Sequence, residues 1–258
     1  SRTNHLRECA TELEIQINED LFSGARVIAS TLVSSNHRIL TGRRFTTLFI
    51  DEAAQALEAA CWIAIRKADR VIFAGDHCQL PPTIKCIEAA RNGLEQTLME
   101  KVAANKQETV SLLKVQYRMH QSIMQFSSEW FYQGELQAAP EVTNRGILDL
   151  DLPMSWIDTS EMEFHEEFVG ESFGRINKPE ANLLLQELEA YIRKIGEKRV
   201  LEERIDFGLI SPYKAQVQYL RGKLKGCLFF RPFRSQITIH TVDGFQGQER
   251  DVIFISLV

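Results

Sequence analysis

The chain of 258 residues is 44% hydrophobic and 25% charged, a balance that allows a buried core in one large or two modest domains. Its formal net charge of −5 excludes the strongly basic composition by which many proteins hold nucleic acid, and none of its apolar runs approaches the roughly 20 residues of a membrane span. Five cysteines without Cys-x-x-Cys spacing, and a polar N-terminus unlike a signal peptide, indicate a soluble, intracellular protein without membrane attachment, zinc site or disulfide framework. The expected compartment is the cytoplasm, with the nucleus as the alternative in a eukaryote.

Hydrophobic periodicity predicts the first elements of the chain. Apolar residues at helical spacing predict an amphipathic helix from Thr11 to Leu21, which leads into a strand from Arg26 to Ser30. The run from Thr46 to Ile50 is largely apolar, which is typical of a strand buried on both faces. A helix from Gln55 to Ile65 separates it from the next strand, Arg70 to Ala74. This alternation of strands and helices predicts a parallel sheet.

Polar residues follow the last two strands at the point where each one ends. Asp51 and Glu52 come directly after the first, and a loop that begins with Gly75 and contains Gln79 follows the second. Because ligands of parallel sheets gather outside the carboxyl ends of strands, we expect the two acids to face a crevice with Gln79 held beside them. An amide can donate to a phosphate oxygen and accept from a water molecule, as a nucleotide sensor requires. The alternatives are solvated acids that begin a helix, and an ordinary connection between a strand and a loop.

The remainder of the chain continues the alternation. Before the acid-rich stretch, the pattern predicts a helix with Leu94, Leu98 and Val102 on one face, an apolar run from Val110 to Val115, and a helix from Gln121 to Phe131. The acid-rich stretch from Glu161 to Glu167 is predicted to be a solvated loop, and Asn177 with Glu180 predicts a capping box for a helix that continues to Ile195. After this helix, the pattern predicts a strand from Ile205 to Ile210, a helix to Leu224, and strands from Ile237 to Thr241 and Asp251 to Leu257. We place the domain boundary near Leu112. The pattern on both sides of it predicts an α/β fold with two parallel-sheet lobes.

Four segments resemble the motifs of one helicase family. Asp51 to Gln55 resembles motif II, and Gly75 to Thr83 resembles motif III, of superfamily 1 helicases in the up-frameshift-like group, which includes the immunoglobulin-mu-binding-protein helicases. Val115 to His120 resembles motif IV of that group, and Thr241 to Glu249 resembles its motif V. The segments occur in the family's order, and the resemblance covers most of the chain, from about Arg26 to Val258.

The resemblance implies two RecA-like lobes of the P-loop NTPase type, with parallel sheets flanked by helices. Residues 1–111 would form the C-terminal part of the first lobe, with motifs II and III, and residues 112–258 most of the second, with motifs IV and V. The sequence contains no Gly-x-x-x-x-Gly-Lys-Ser/Thr loop, which cradles phosphates in this family, and it ends before the arginine-bearing motif VI. We therefore expect a fragment of a larger helicase that by itself binds ATP poorly and is inactive.

For catalysis, the resemblance implies ATP and Mg²⁺ as cofactors. Asp51 is then the metal carboxylate, acting through a water molecule, and Glu52 is the base for the attacking water. Gln79 senses the terminal phosphate. Arg118 reaches the same phosphate from the second lobe, because a planar and permanently charged guanidinium suits a phosphate better than an ammonium does. Closure of the two lobes would assemble this site.

The resemblance also implies contacts to the rest of the nucleotide. Tyr117 would stack on the adenine ring and Glu249 would contact the ribose. Gly247 would allow the backbone to approach the nucleotide closely. The alternatives are a core or interface tyrosine at position 117 and an ordinary turn at Gly247.

Residues at or beyond strand ends are candidates for contacts with nucleic acid, as in related helicases. These candidates are Thr31, Ser211, Tyr213 and Thr241. Hydroxyl contacts to phosphate position a strand without reading its sequence. Ser and Thr at strand exits have the alternative role of capping the helix that follows.

The implied function is the motor core of an ATP-dependent DNA or RNA helicase that acts as a monomer and moves 5′ to 3′ along single-stranded nucleic acid. An alternative from another class is an ATP-dependent nucleic-acid clamp, or a scaffold that remodels ribonucleoprotein without unwinding. A degenerate module is disfavoured because Asp51, Glu52, Gln79 and Arg118 are all present. The sequence does not choose between DNA and RNA, since motors that track the backbone need not read bases.

Overall fold

The computed structural model describes residues 2–149, 151–170 and 174–258. The chain divides into two compact units, Ser1–Ser111 and Leu112–Val258. None of the described helices is both long enough and apolar enough to cross a membrane.

The first unit combines a long N-terminal helix with a short parallel sheet. Its elements in chain order are α1 (Arg2–Gly24), β1 (Phe45–Ile50), α2 (Glu58–Ile65), β2 (Ala68–Phe73), α3 (Ile87–Ala89) and α4 (Leu98–Asn105). Short 3₁₀ turns lie at Ser34–Asn36, Arg38–Leu40, Ala53–Gln55 and Gln107–Thr109, and a π-helical turn at Ala90–Leu94 follows α3. Strands β1 and β2 are parallel neighbours, with Ile50 opposite Phe73 at their carboxyl ends.

The core of the first unit lies at the carboxyl end of β1. Its buried members are Ile50, Ala53, Cys61 and Leu98. Leu98 begins α4, and a capping box fixes this start. The Thr97 hydroxyl accepts from the backbone N–H of Glu100 (3.2 Å), and the Glu100 carboxylate accepts from the backbone N–H of Thr97 (2.7 Å). Helix α4 therefore packs in a defined position against the 3₁₀ turn that follows β1.

The second unit contains a three-stranded parallel sheet flanked by helices. Its helices are α5 (Gln121–Phe131), α6 (Lys178–Ile195), α7 (Glu197–Glu203), α8 (Lys214–Gly226) and α9 (Val242–Phe245), with a 3₁₀ turn at Arg231–Phe233. Its strands are β3 (Val115–Gln116), β4 (Gln137–Ala138), β5 (Glu167–Val169), β6 (Gly174–Ile176), β7 (Phe207–Ser211), β8 (Ile237–Thr241) and β9 (Val252–Ile255). The parallel sheet has the order β8-β7-β9, whereas β3 and β4 form a parallel pair and β5 and β6 an antiparallel pair.

The central strand β7 carries the core of the second unit. Phe207 and Leu209 are fully buried between the sheet and the helices α6 and α8 that pack on it. A strand with neighbours on both sides and helices over it is apolar throughout, as its sequence Phe-Gly-Leu-Ile shows. At the carboxyl ends of the sheet, Ser211 of β7 lies opposite Thr241 of β8.

The α/β fold with parallel sheets is confirmed, and two elements have the predicted bounds. These are the helix Gln121–Phe131 and the strand Ile237–Thr241. The predicted loop of acids also lies outside regular structure until Glu167, where β5 begins.

The predicted strand from Arg26 to Ser30 is wrong. These residues form irregular chain, no described strand pairs with them, and the side chain of Val27 is 86% exposed. The helix before it is longer than predicted, because α1 begins at Arg2, well before Thr11, and ends at Gly24 instead of Leu21. Its apolar side chains are exposed rather than gathered on a buried face; they are Leu6, Leu13, Ile15, Ile17 and Leu21.

Three other elements are shorter than predicted. Helix α2 begins at Glu58 instead of Gln55, because a 3₁₀ turn occupies the residues directly after the β1 exit. Helix α4 begins at Leu98 and leaves Leu94 in the π-helical turn. Strand β9 covers Val252–Ile255 only.

Asn177 caps α6, but the predicted capping box does not form. The side-chain oxygen of Asn177 accepts from the backbone N–H of Glu180 at 3.0 Å. The Glu180 carboxylate points elsewhere and accepts from the Ser256 hydroxyl (2.6 Å) and the Val258 N–H (3.1 Å). The backbone N–H of Asn177 instead donates to the side-chain oxygen of Gln216 at 3.0 Å. Buried polar groups thus link the start of α6 to α8 and to the chain beyond β9.

We expect Gln216→Leu to lower the free energy of unfolding by about 2–4 kcal/mol. The side chain of Gln216 is fully buried, and its amide nitrogen donates to the Asn177 carbonyl (3.0 Å) and the Ser256 hydroxyl (2.9 Å). Leucine has a similar volume but leaves both backbone groups of the buried Asn177 without these partners. Chemical denaturation measures the loss, with Gln218→Leu on the exposed face of the same helix as the control. Equal stability of the two variants would contradict the expectation.

Candidate nucleotide-binding site

Glu52 has a strained backbone at the carboxyl end of β1. It follows Asp51 directly, and its backbone angles, φ 49° and ψ 39°, lie in the left-handed region. A residue with a side chain rarely adopts this conformation, which costs about 1–3 kcal/mol and persists only where the surrounding structure enforces it. Strain of this kind is concentrated at functional sites.

Hydrogen bonds orient both carboxylates of the Asp51–Glu52 pair. Asp51 Oδ1 accepts from the backbone N–H of Glu52 at 3.0 Å, and Gln55 Nε2 donates to Glu52 Oε2 at 3.1 Å. Both acidic residues are exposed. Asp51 therefore offers a carboxylate to a hydrated cation, which is the usual way a protein holds Mg²⁺, and Glu52 offers an oriented proton acceptor.

Gln79 is held by its own loop at the carboxyl end of β2. Its side-chain nitrogen donates to Asp76 Oδ2 at 2.8 Å, and its backbone N–H donates to the Asp76 carbonyl at 3.2 Å. The other oxygen of Asp76 accepts from the backbone N–H of Cys78 at 3.0 Å. One aspartate thus defines where the Gln79 amide lies.

Backbone contacts tie the exits of β1 and β2 together. The N–H of Ala53 donates to the Ala74 carbonyl, and the N–H of Ala74 donates to the Ile50 carbonyl, both at 2.9 Å. Gly75 permits this approach, because a Cβ at that position would lie 2.9 Å from the nitrogen of Ala53 and 3.0 Å from that of Ala54. The structure therefore brings the loop of Asp51 and Glu52 and the loop of Gln79 to one edge of the sheet.

We expect Gly75→Ala to destabilise the protein by about 1–3 kcal/mol, because the added methyl group collides with backbone atoms that cannot turn away. The Met99 sulfur also lies 3.2 Å from the added carbon, so the collision extends to α4. Gly24→Ala is the matched control in the same unit, since its added methyl group meets nothing within 4 Å. Thermal and urea denaturation of both variants decide the matter, and the expectation fails if Gly75→Ala is as stable as Gly24→Ala.

In the second unit, the side chain of Gln116 shapes the loop that carries Tyr117 and Arg118. Its oxygen accepts from the backbone N–H groups of Arg118 (2.8 Å) and Met119 (2.9 Å), and its nitrogen donates to the Met119 carbonyl (2.7 Å). The side chains of Tyr117 and Arg118 are left exposed, with Tyr117 at 67%. The tyrosine ring is therefore available for stacking.

The guanidinium of Arg118 contacts the carboxylate of Glu249. Arg118 Nε donates to Glu249 Oε2 at 2.9 Å, and both side chains are more than half exposed. The pair borders a small charged cavity of about 130 Å³, which is lined by Arg118, Arg145, Asp206, Glu249, Arg250 and Asp251. An exposed ion pair contributes about 0–1 kcal/mol, so Arg118 can exchange this partner for another anion at little cost.

The segment after β8 contains two glycines with different constraints. Gly247 has a φ of 76°, which favours glycine, and lies in the turn that leads to Glu249. A Cβ on Gly244 would lie 1.7 Å from Nδ1 of His240, so this glycine is required by packing. The Thr241 hydroxyl accepts from the backbone N–H of Gly244 at 3.4 Å and caps α9.

The candidate nucleic-acid contacts differ in accessibility. Ser211 is fully buried, and its hydroxyl accepts from the Tyr213 N–H at 3.5 Å, so a nucleic-acid strand cannot reach this side chain in this conformation. Thr31 is exposed, and its hydroxyl accepts from the Ser34 N–H at 3.2 Å. Tyr213 is half-buried, with its ring 5.6 Å from the Arg175 guanidinium. Contact of Thr31, Tyr213 or the half-buried Thr241 with nucleic acid stays a prediction.

Comparison with known proteins identifies the family. Two family models, each described as an AAA domain, match residues 1–86 and 94–258. The "DNA-binding protein SMUBP-2" of Rattus norvegicus is 34% identical over 98% of this chain and 26% of its own length. An "uncharacterized ATP-dependent helicase" of Methanocaldococcus jannaschii is 33% identical (96% and 36%), and the "regulator of nonsense transcripts 1 homolog" of Drosophila melanogaster is 36% identical (92% and 20%). The chain belongs to the superfamily 1 helicases of the up-frameshift-like group.

This membership confirms the resemblance that the four motif-like segments indicate. The parallel sheets of this helicase chain agree with the P-loop NTPase fold of the AAA domains that it matches. The chain spans between 20% and 36% of the length of the three relatives.

Asp76, His77 and Cys78 place three possible metal ligands within 4.8 Å of one another in this chain. Their closeness follows from their adjacency in the chain, and the Asp76 carboxylate already accepts hydrogen bonds from Cys78 and Gln79. Burial, and secondarily the Asp76 carboxylate, raises the pKa of the Cys78 thiol, which disfavours the thiolate that binds metals. Positioning of Gln79 explains the loop better than a metal site does.

Three residues that position the candidate site carry little signal in the sequence. Asp76 accepts from the backbone N–H of Cys78, and Gln116 accepts from the backbone N–H groups of Arg118 and Met119. All three contacts lie within three residues in the chain, as local side-chain bonds to the backbone of a polar residue such as aspartate commonly do. The sequence therefore suggests that these side chains bind nearby backbone groups, but it does not show which groups they bind. Arg145 contacts the carbonyl of Arg118, which is 27 residues away, and no local pattern indicates this pairing.

Proposed function

We propose that this chain forms part of the motor of an ATP-dependent helicase that moves as a monomer along single-stranded DNA or RNA in the 5′ to 3′ direction. One observation carries the proposal. The exits of two neighbouring parallel strands bring an oriented pair of carboxylates, Asp51 and Glu52, to the same sheet edge as the loop of Gln79. Membership in the helicase family supports it.

Mg²⁺-ATP is the proposed ligand at this edge. Asp51 fits a hydrated metal ion, because it is exposed and its carboxylate is oriented by the Glu52 N–H. When bound, the metal ion screens the charge of the phosphates. Glu52, which Gln55 orients, accepts the proton of the attacking water. An amide has two N–H donors and one carbonyl, so Gln79 can contact Asp76 and the terminal phosphate at once.

The second unit supplies the remaining contacts to the nucleotide. The exposed ring of Tyr117 stacks on adenine, and Glu249 contacts the ribose while Gly247 keeps the backbone close. Arg118 contacts the terminal phosphate, for which it leaves Glu249. The guanidinium meets negative charge that develops in the transition state, and in related phosphoryl transfers such an arginine raises turnover by about 10³- to 10⁵-fold.

Contacts to the nucleic-acid backbone are assigned to exposed or half-buried residues only. Thr31, Tyr213 and Thr241 qualify, whereas the buried Ser211 does not. Phosphate contacts by such side chains hold a strand without selecting a sequence, which suits a motor that advances along any strand.

ATP hydrolysis by the complete protein, with and without single-stranded DNA or RNA, tests the proposal. We expect one polymer to stimulate hydrolysis and a labelled duplex with a 5′ overhang to be unwound, and we expect both activities to be lost in Glu52→Gln. ATP-dependent binding without strand displacement would indicate a clamp or a scaffold instead. If neither DNA nor RNA changes the rate of ATP hydrolysis, the proposed motor function is wrong.

A further inference from the structure

The backbone of Arg118 is held from outside the four motif-like segments. Arg145 lies in the turn that follows β4, and its Nη1 donates to the Arg118 carbonyl at 3.0 Å. Its other terminal nitrogen, Nη2, lies 3.5 Å from Oδ1 of Asp251. One guanidinium therefore joins the loop after β3 to the segment that precedes β9.

Asp251, the carboxylate partner of Arg145, is itself hydrogen-bonded to the residue that precedes the central strand of the sheet. Its second carboxylate oxygen accepts from the backbone N–H of Asp206 at 3.1 Å, and its own N–H donates to Asp206 Oδ1 at 2.8 Å. Asp206 directly precedes the central strand β7. This reciprocal pair fastens Asp251 to the start of the sheet, so Arg145 attaches the Arg118 loop to a rigid element.

The segment from Glu249 to Asp251 holds the side chain of Arg118 directly and its backbone through Arg145. Glu249 contacts the guanidinium, and Asp251, two residues later, holds Arg145 against the carbonyl. If the guanidinium leaves Glu249, Arg145 still fixes the point from which the side chain turns. The planar fork of arginine can contact a carbonyl and a carboxylate together, whereas the single ammonium group of lysine lacks this shape.

We propose that Arg145 is a positioning residue for Arg118. Its effect on hydrolysis rests on the proposed function, whereas its effect on the loop does not. By bridging the Arg118 carbonyl to Asp251, it limits the positions that the Arg118 guanidinium reaches. A displacement of about 1 Å in a group that meets the transition state costs up to about 100-fold in rate.

The kinetic test uses three variants of the complete protein. We expect Arg145→Met to lower kcat for ATP by about 10- to 100-fold with KM changed much less, and Arg145→Lys to restore only part of the rate. Arg199→Met is the control, because that exposed arginine forms an (i, i+4) ion pair with Glu203 in α7 and does not take part in the Arg145–Asp251 bridge. Thermal unfolding should be the same for all three, since the Arg145 and Arg199 side chains are 51% and 42% exposed.

A double substitution separates positioning from a general structural effect. In the background of Arg118→Ala, Arg145→Met should cause no further loss of kcat, because a residue that acts through Arg118 has nothing left to position. If Arg145→Met lowers kcat by as large a factor in the Arg118→Ala background as it does in the wild-type protein, the proposal is wrong.

Hydrogen exchange tests the inference independently of ATP hydrolysis. The backbone N–H groups of Arg118 and Met119 are hydrogen-bonded to Gln116, and we expect Arg145→Met, but not Arg199→Met, to make them exchange faster. Unchanged exchange would overturn the proposal whether or not the protein hydrolyses ATP. If these amides exchange faster in Arg145→Met but the protein does not hydrolyse ATP, the proposed function is wrong while the positioning of the Arg118 loop by Arg145 is supported.

Discussion

Arg118→Ala should lower kcat for nucleic-acid-stimulated ATP hydrolysis by about 10³- to 10⁵-fold, with nucleotide affinity changed far less. The reason is that a guanidinium at the terminal phosphate acts on charge that appears in the transition state, so its loss reduces kcat more than binding. The fold should survive, because Arg118 and its partner Glu249 form an exposed pair that contributes little stability. Steady-state kinetics and nucleotide titration of the complete protein measure the two quantities.

Two further variants sharpen the Arg118 experiment. Arg118→Lys should recover only a minor part of the rate, since an ammonium group cannot form the two-pronged contact of a guanidinium. Arg193→Ala is the control, because that residue is an exposed arginine whose ion pairs lie within its own helix region. A decrease of less than about tenfold in Arg118→Ala would show that this arginine does not meet the transition state.

Glu52→Gln should lower kcat by about 10²- to 10⁴-fold while nucleotide and nucleic-acid binding persist. The amide keeps the shape of the carboxylate, and its oxygen can still accept from Gln55, but it cannot take a proton from water. The left-handed backbone is no harder for glutamine than for glutamate, so stability should not change. Single-turnover hydrolysis beside equilibrium binding separates the chemical step from affinity.

Glu88→Gln is the matched control for this substitution, because it removes an exposed carboxylate from the same unit outside the two strand exits. It should leave turnover unchanged. If Glu52→Gln hydrolyses ATP at the same rate as Glu88→Gln, another group takes the proton and the assignment of Glu52 is wrong.

The exits of β1 and β2 are predictable from the sequence because their causes are local. An apolar run becomes a strand when neighbours cover it, and polar residues directly after it must lie at the strand's carboxyl end. The same rule fails for Arg26 to Ser30, since a strand also needs a neighbour for its backbone groups and no described strand pairs with this segment. Periodicity indicates which residues can form a strand and not whether a partner lies beside it.

Capping and burial show a second limit of local patterns. The spacing of Asn177 and Glu180 favours a capping box, yet Gln216 occupies the Asn177 N–H and Ser256 occupies the carboxylate. Ser211 stands at a strand end opposite Thr241, but the surrounding structure buries Ser211 completely and leaves Thr241 half-buried. Both outcomes depend on residues that are distant in sequence.

The contacts that hold Arg118 lie furthest beyond sequence patterns. Its partners Arg145 and Glu249 are 27 and 131 residues away. The motif-like segments indicate that Arg118 and Glu249 serve one nucleotide, but not that they contact each other. A charged residue such as Arg145, in a polar turn, looks like any solvated surface residue.

At position 52, the left-handed backbone favours residues other than glutamate for stability, whereas the proposed catalytic role requires the carboxylate of glutamate. Glycine adopts a φ of 49° without cost, and asparagine adopts it more readily than glutamate does, so either would relax the turn and remove the carboxylate at the same time. If Glu52 takes the proton of the attacking water as proposed, a library of this protein screened only for resistance to heat would collect replacements at Glu52 that hydrolyse ATP far more slowly. Anyone who engineers a sturdier variant should keep this position constant and look for stability elsewhere.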